Sequence, residues 1–358
     1  MPFRINNIAD LIPFQEYKML AGILDEALYT DIAKVLDDWF DEALTELEFF
    51  SSGSTGQSKS IRHSKESIRQ AISYSSKRLN YGRGTRSLLS LPVKYVAGSM
   101  ILLRAVILEM ELCVDEISGN PLNGINYNID FLALTPFQFN QCFNFNFNKL
   151  KEVGTILLGG APVPASLYSN FKDWGGKIYQ SYGMTETLSH VALRRLDGPE
   201  PEKLYTSIAD DIVFEVYDED CLVIRAPYLH TEIRTRDHVR LENKYQFEWL
   251  GRVDSIINSG GLKINPEYLE HFFSESITNR FFVFPVPHEL LGQRPAILVE
   301  AAYSQSLYNQ LIELNSLLDK KWRIEKLYLL PELEYTATGK LQREASLRKL
   351  DLSDFIQL

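Results

Sequence analysis

The sequence predicts a mixed α/β (α+β) architecture, on three observations. Short apolar runs end in turn residues, as in SLLSLP from Ser87 and TILLGGAP from Thr155, which is how buried strands read. DIVFEVYDEDCLVIRAP alternates in character and turns at Asp218–Asp220, as a β-hairpin does. Stretches with apolar residues at helical spacing separate these runs, so strands and helices alternate along the chain.

In order, residues 1–50 read as mainly helical, with acidic side chains among the apolar positions from Leu24 to Leu47. A short apolar run ending at Phe49-Phe50 feeds the small-residue loop SSGSTGQSKS. After it, SKESIRQAISYSSKRL offers Ser64 as an N-cap and puts Ile68, Ala71, Ile72 and Leu79 on one helical stripe. The loop is thus expected to join a strand to a helix, a setting suited to phosphates. FQFNQCFNFNFN alternates Phe and Asn and is expected to be a half-buried strand or a loop with a structural role. FFVFPVP and RPAILVEAAY read as strands, and SLYNQLIELNSLLDKKW as a helix. No repeat of solenoid period is present.

The chain has 358 residues, enough for two domains, with 45% apolar and 23% charged residues. Its formal charge of −10 argues against a general binder of nucleic acid or anionic membrane. Cys113, Cys142 and Cys221 are far apart and fit a reducing cytoplasm rather than a disulfide framework. The N-terminal MPFRINNIADLIPF is polar where a signal peptide needs an apolar core. MILLRAVILEM is too short to span a bilayer and carries Arg104 at its centre. A soluble cytoplasmic protein, monomer or homodimer, is expected.

Five stretches carry the chemistry. SSGSTGQSK nearly matches a Walker loop: Gly53, Lys59 and Ser60 are spaced correctly, but Ser58 replaces the second glycine. Alone it is equally a surface turn, and no convincing Walker-B acid accompanies it. GGAPVP occupies 159–164, YGMTET 182–187, GRVDSIINSGGLKINPEYLE 251–270 and TATGKLQR 336–343. Each in isolation has a structural reading: a strand-ending turn, a capped helix start, a glycine turn, an exposed lysine. In this order over about residues 50–343 they resemble the adenylate-forming superfamily of acyl-CoA synthetases, adenylation domains and luciferases.

That resemblance implies ATP, Mg²⁺ and coenzyme A, and a two-step ligase reaction on a carboxylic acid. Ser51, Ser52, Gly53, Ser54, Thr55, Gly56 and Lys59 would form the phosphate loop, with Ser58 in place of its usual proline. Small residues let backbone N–H groups approach phosphate oxygens. Thr185 would contact phosphate and Glu186 hold magnesium. Gly159, Gly160, Ala161 and Pro162, with Ser181, Tyr182, Gly183 and Met184, would border the adenine. Asp237, preceded by Arg236 where relatives have a small residue, would bind ribose with Arg252. Asp254 would be the hinge between an N-terminal domain (1–253) and a small mobile domain (254–358). Ser259, Gly260 and Gly261 would border the pantetheine channel. Lys340 would bridge the attacking carboxylate and the α-phosphate; residues 319–349 around it hold eight Lys/Arg against five Asp/Glu.

LPVKYVAGSMILLRAVI at 91–107 resembles the matching segment of the o-succinylbenzoate–CoA ligases of menaquinone synthesis, with Tyr95 in their histidine position, then Gly98 and Arg104. A buried arginine is costly unless paired. Its partner would be a second substrate carboxylate, or a structural acid such as Glu109. His190 would line the same cavity or be an ordinary core histidine. Other aryl- or fatty-acyl-CoA ligases, and a non-catalytic nucleotide-binding homologue, are the alternatives. The phosphate loop starts earlier than in full-length relatives, implying a reduced front to the N-terminal domain, and Lys65 replaces the usual histidine after the loop.

Overall fold

The computed structural model describes residues 2–5, 11–50, 60–172, 174–336 and 341–358. The phosphate-loop residues 51–59 and the stretch 337–340, with Lys340, lie outside the described residues.

Among the described residues the largest element is a 13-stranded sheet. Its centre is parallel: Glu111–Val114, Arg86–Leu88, Phe131–Leu134, Thr155–Leu158 and Lys177–Met184 lie side by side. Helix Val96–Leu108 connects the first two, and helix Pro136–Phe145 connects Phe131–Leu134 to Thr155–Leu158. These strands bury both faces, as parallel strands with covering helices do. Phe131 and Ala133 enter one apolar cluster, while Leu132 and Leu134 enter the cluster on the opposite face. Beyond Lys177–Met184 the sheet becomes antiparallel and ends in the hairpin Val213–Tyr217/Cys221–Arg225, turned at Asp218–Asp220 as expected.

The apolar clusters that include the large sheet hold residues from Phe3 to Phe247, whereas two further clusters hold residues from Ile257 onward. The second group surrounds a six-stranded sheet whose core strands are Phe281–His288, Gly292–Glu300 and Lys326–Leu330. Helix Gln305–Leu317, capped by Ser304, covers it.

Three expectations change. FQFNQCFNFNFN is not a strand or loop but the helix Pro136–Phe145 followed by the helix Phe147–Lys151. Thr135 and Gln138 form a reciprocal capping box ahead of it, and Phe139 and Cys142 face the core three residues apart. Local start signals outweighed the apparent two-residue alternation. Residues 1–50 are mixed rather than mainly helical: strands Pro2–Ile5 and Leu11–Pro13 and a 3₁₀ segment precede the helix Glu26–Phe40 and the strand Glu46–Phe50. The loop does not join a strand to a helix. Glu46–Phe50 pairs antiparallel with Ser60–Ser64, so residues 51–59 connect the two arms of a hairpin, and helix Lys65–Leu79 starts only afterwards, capped by Ser64.

Candidate active site

Gly159, Gly160, Tyr182, Thr185 and Glu186 lie at or just past the carboxyl ends of two adjacent parallel strands, Thr155–Leu158 and Lys177–Met184, the edge at which open α/β sheets bind ligands. Gly159 and Gly160 directly follow strand Thr155–Leu158. A Cβ on Gly159 would stand 2.7 Å from Ser181 Oγ, so a side chain there would displace that hydroxyl, which donates to the Leu158 carbonyl at 3.0 Å. Gly160 has φ +80°, and a Cβ there would have only Thr135 Cγ2 nearby, at 4.0 Å, which leaves the turn open on one side.

Tyr182 lies at the end of the adjoining strand, its ring against Tyr205 and Phe247. Its hydroxyl donates to Asp237 Oδ2 at 2.5 Å, and burial, followed by the Asp237 charge, pushes the phenol well above its ordinary value. Asp237 is buried on strand Ile233–Asn243, directly opposite Arg252 on strand Gln246–Arg252. Arg252 Nη1 reaches Asp237 Oδ1 at 3.4 Å, while Nε and Nη2 donate to Asp254 at 2.9 and 2.8 Å. The Arg252 hydrogen bonds hold the Asp254 carboxyl below the usual range, and the Asp254 hydrogen bonds raise the guanidinium. Tyr182, Asp237, Arg252 and Asp254, from three separate stretches of sequence, thus form one connected polar chain.

Thr185 and Glu186 sit in the 3₁₀ turn Thr185–Thr187. Gly183 just before it abuts the Ser189 carbonyl, where any Cβ would collide. The turn presents one carboxylate, that of Glu186. No cluster of three or more His, Cys, Asp or Glu among the described residues could hold a metal unaided. That donor set fits magnesium, which takes one or two carboxylates and completes its shell with phosphate oxygens and water.

Arg104 is 3% exposed in helix Val96–Leu108. Nη2 donates to Ser189 Oγ at 3.0 Å, and Nε is buried with no hydrogen-bond partner. Among the described residues Arg104 has no ion pair; Glu109 pairs instead with Arg83 at 3.1 Å. His190 is buried beside it, 2.7 Å from Ser75 Oγ through Nε2 and 3.3 Å from Ser189 Oγ through Nδ1. Burial, with the Arg104 charge second, pushes the imidazole well below its ordinary value, so it is neutral. Gly98 packs against the Pro92 carbonyl, where a Cβ would collide, and Tyr95 precedes the helix in an isolated bridge with Phe50.

Ser259 is buried at the end of strand Ile257–Ser259, and Gly260 and Gly261 form the turn into Leu262–Ile264 with φ +58° and +84°. Both values favour glycine. His63, Ser75 and Ser189 were not among the residues singled out. His63 leaves a trace in the sequence, being the histidine at an inward position of the alternating SIRHS.

The AMP-binding enzyme family matches residues 45–224 of this chain, which take in the loop, the parallel strands and the Thr185–Thr187 turn. The chain belongs to that family. A 2-succinylbenzoate–CoA ligase of Haemophilus influenzae is 27% identical over 70% of this chain, which spans 58% of that relative's length. A crystal structure of an acyl-CoA synthetase (AMP-forming)/AMP-acid ligase II-like protein from Dyadobacter fermentans is 32% identical. It covers 93% of this chain and 98% of its own, with a TM-score of 0.60. The o-succinylbenzoate coenzyme A synthetase of Bacillus subtilis, in complex with ATP and magnesium ion, is 21% identical. It covers 84% of this chain and 69% of its own, with a TM-score of 0.67, a likeness of fold alone. No helix among the described residues is long and apolar enough to cross a membrane.

Proposed function

We propose that this chain is an AMP-forming acid–thiol ligase that converts o-succinylbenzoate to its CoA thioester. Family membership supports the reaction class, and the ligase of Haemophilus influenzae supports the acid. The observation that carries the substrate is Arg104, buried without a carboxylate and with Nε unpaired. A buried cation left without a counter-charge costs several kcal/mol. A substrate with a second carboxylate removes that cost on binding, and a fatty acid does not.

In the first step the substrate carboxylate attacks the α-phosphorus of ATP and pyrophosphate leaves, giving the acyl-adenylate. In the second the CoA thiol attacks the acyl carbon, loses its proton, and AMP leaves. Residues 51–59, Gly159–Pro162, Ser181–Met184, Asp237 and Arg252 bind and orient the nucleotide in this reading. Thr185 donates to phosphate, and Lys340 supplies a mobile positive charge where negative charge develops. Glu186 would hold Mg²⁺, which supplies charge neutralisation to the polyphosphate. Arg104, with Tyr95, Gly98 and His190, borders the acyl cavity; Ser259, Gly260 and Gly261 border the thiol's path. Residues 254–358 form a mobile lobe hinged at Asp254, which the division of the apolar cores between Phe247 and Ile257 supports. The three cysteines are free and buried, consistent with a cytoplasmic setting.

Pyrophosphate release across a panel of carboxylic acids, with CoA present, tests the reading. o-Succinylbenzoate is expected to be the best substrate; turnover confined to monocarboxylates would overturn the substrate, and no turnover with any acid would overturn the activity.

A further inference from the structure

The strand Ser60–Ser64 buries one side chain, and that side chain is a histidine. His63 pairs across the hairpin with Leu47, and its ring centroid is 6.0 Å from that of Phe49, a position suited to an apolar residue. Burying an imidazole there costs free energy unless a partner compensates. The partner is 122 residues away: Nε2 lies 2.8 Å from the Thr185 carbonyl oxygen. A carbonyl only accepts, so Nε2 carries the hydrogen. The same oxygen accepts from Leu188 N at 3.2 Å, an i to i+3 bond that closes the end of the 3₁₀ turn. The turn carrying Thr185 and Glu186 is therefore held from inside by a long backbone bond and from outside by His63.

The hairpin has few other polar anchors. It forms a two-stranded sheet of its own, separate from the 13-stranded sheet. Beyond the adjoining helix, its hydrogen-bonded links to other described residues are the isolated bridge Phe50–Tyr95 and the His63–Thr185 bond.

We propose that His63 is a positioning residue that fastens the hairpin carrying residues 51–59 to the turn carrying Thr185 and Glu186. The orientation of the Thr185–Thr187 turn against the strand Ser60–Ser64 is then set by an imidazole outside the set assigned to ATP. This rests on the reading of Thr185 and Glu186 given above, and it adds a residue that lies outside the five stretches carrying the chemistry.

Calorimetric titration of the full chain with magnesium–ATP, in the absence of any acid, tests it on His63→Leu, His63→Gln and His63→Asn. Glutamine places an amide N–H where Nε2 stands; asparagine carries the same group but falls short; leucine fills the volume without a donor. Leucine and asparagine are expected to weaken magnesium–ATP binding about threefold to tenfold, the range for one net hydrogen bond, and glutamine to stay within about twofold of native. A merely structural role would lower all three melting temperatures without this ordering in affinity. Native-like affinity in both the leucine and asparagine variants, or a glutamine variant as weak as asparagine, overturns the role of His63 while leaving the ligase reading intact. If the native chain binds no magnesium–ATP, that reading falls and this proposal falls with it.

Discussion

Arg252 grips Asp254 with two hydrogen bonds of 2.9 and 2.8 Å, yet it is also the cross-strand partner of Asp237. One guanidinium thus links the residue assigned to the hinge with the residue assigned to the ribose. Asp237→Asn keeps an acceptor for the Tyr182 hydroxyl but removes the charge facing Arg252 and the ribose hydroxyls. Loss of a charged acceptor is expected to weaken ATP binding roughly 10- to 100-fold. Titration with ATP would show it, and unchanged affinity would contradict the assignment.

Lys340→Ala is expected to slow adenylation by about 10²–10³-fold, the scale for losing one transition-state donor. Thioester formation from supplied acyl-adenylate should change far less. Equal losses in the two half-reactions, measured separately, would remove the lysine from its role.

Arg104→Met should separate function from stability. An unpaired buried charge destabilises the fold, so its replacement by an apolar side chain of similar length leaves the melting temperature unchanged or raises it. The same change is expected to weaken use of o-succinylbenzoate by roughly 10- to 100-fold and to leave ATP binding intact. A marked fall in melting temperature with normal turnover would make Arg104 structural.

Gly98→Ala pushes a methyl group into the Pro92 carbonyl. Overpacking of this kind costs about 1–3 kcal/mol, read as a lowered denaturation midpoint. A variant as stable as native would show that the start of helix Val96–Leu108 can shift.

Glu267 is pushed above its ordinary value by burial and then by the Glu270 charge. The native state therefore holds this proton more tightly than the unfolded chain. Its stabilising contribution is complete below the ordinary glutamate value of about 4.3 and is lost as pH rises through the raised folded value. Glu267→Gln, which keeps an acceptor for Ser255 Oγ, should gain stability relative to native as pH rises. Denaturant midpoints at several pH values check this, and parallel profiles for the two proteins would contradict it.

Much of the site is legible in the chain because its residue types are constrained locally. Gly260 and Gly261 announce a turn at positive φ by their type alone, and Ser64 announces its helix by capping it. FQFNQCFNFNFN misled because side-chain alternation was visible while the Thr135–Gln138 capping box carried the stronger signal. The glycine loop misled because a strand of five residues, Ser60–Ser64, is too short to stand out before a well-capped helix.

By itself the sequence determined the alternating architecture, the polar loops at strand ends and a buried arginine in need of a partner, since periodicity, turn chemistry and desolvation act over a few residues. Only the tertiary structure decided which distant groups meet: His63 with Thr185, Arg104 with Ser189, and Tyr182 with Asp237. Those pairings depend on strand order and register, which bring together residues separated by 55 to 122 positions and which no local pattern encodes.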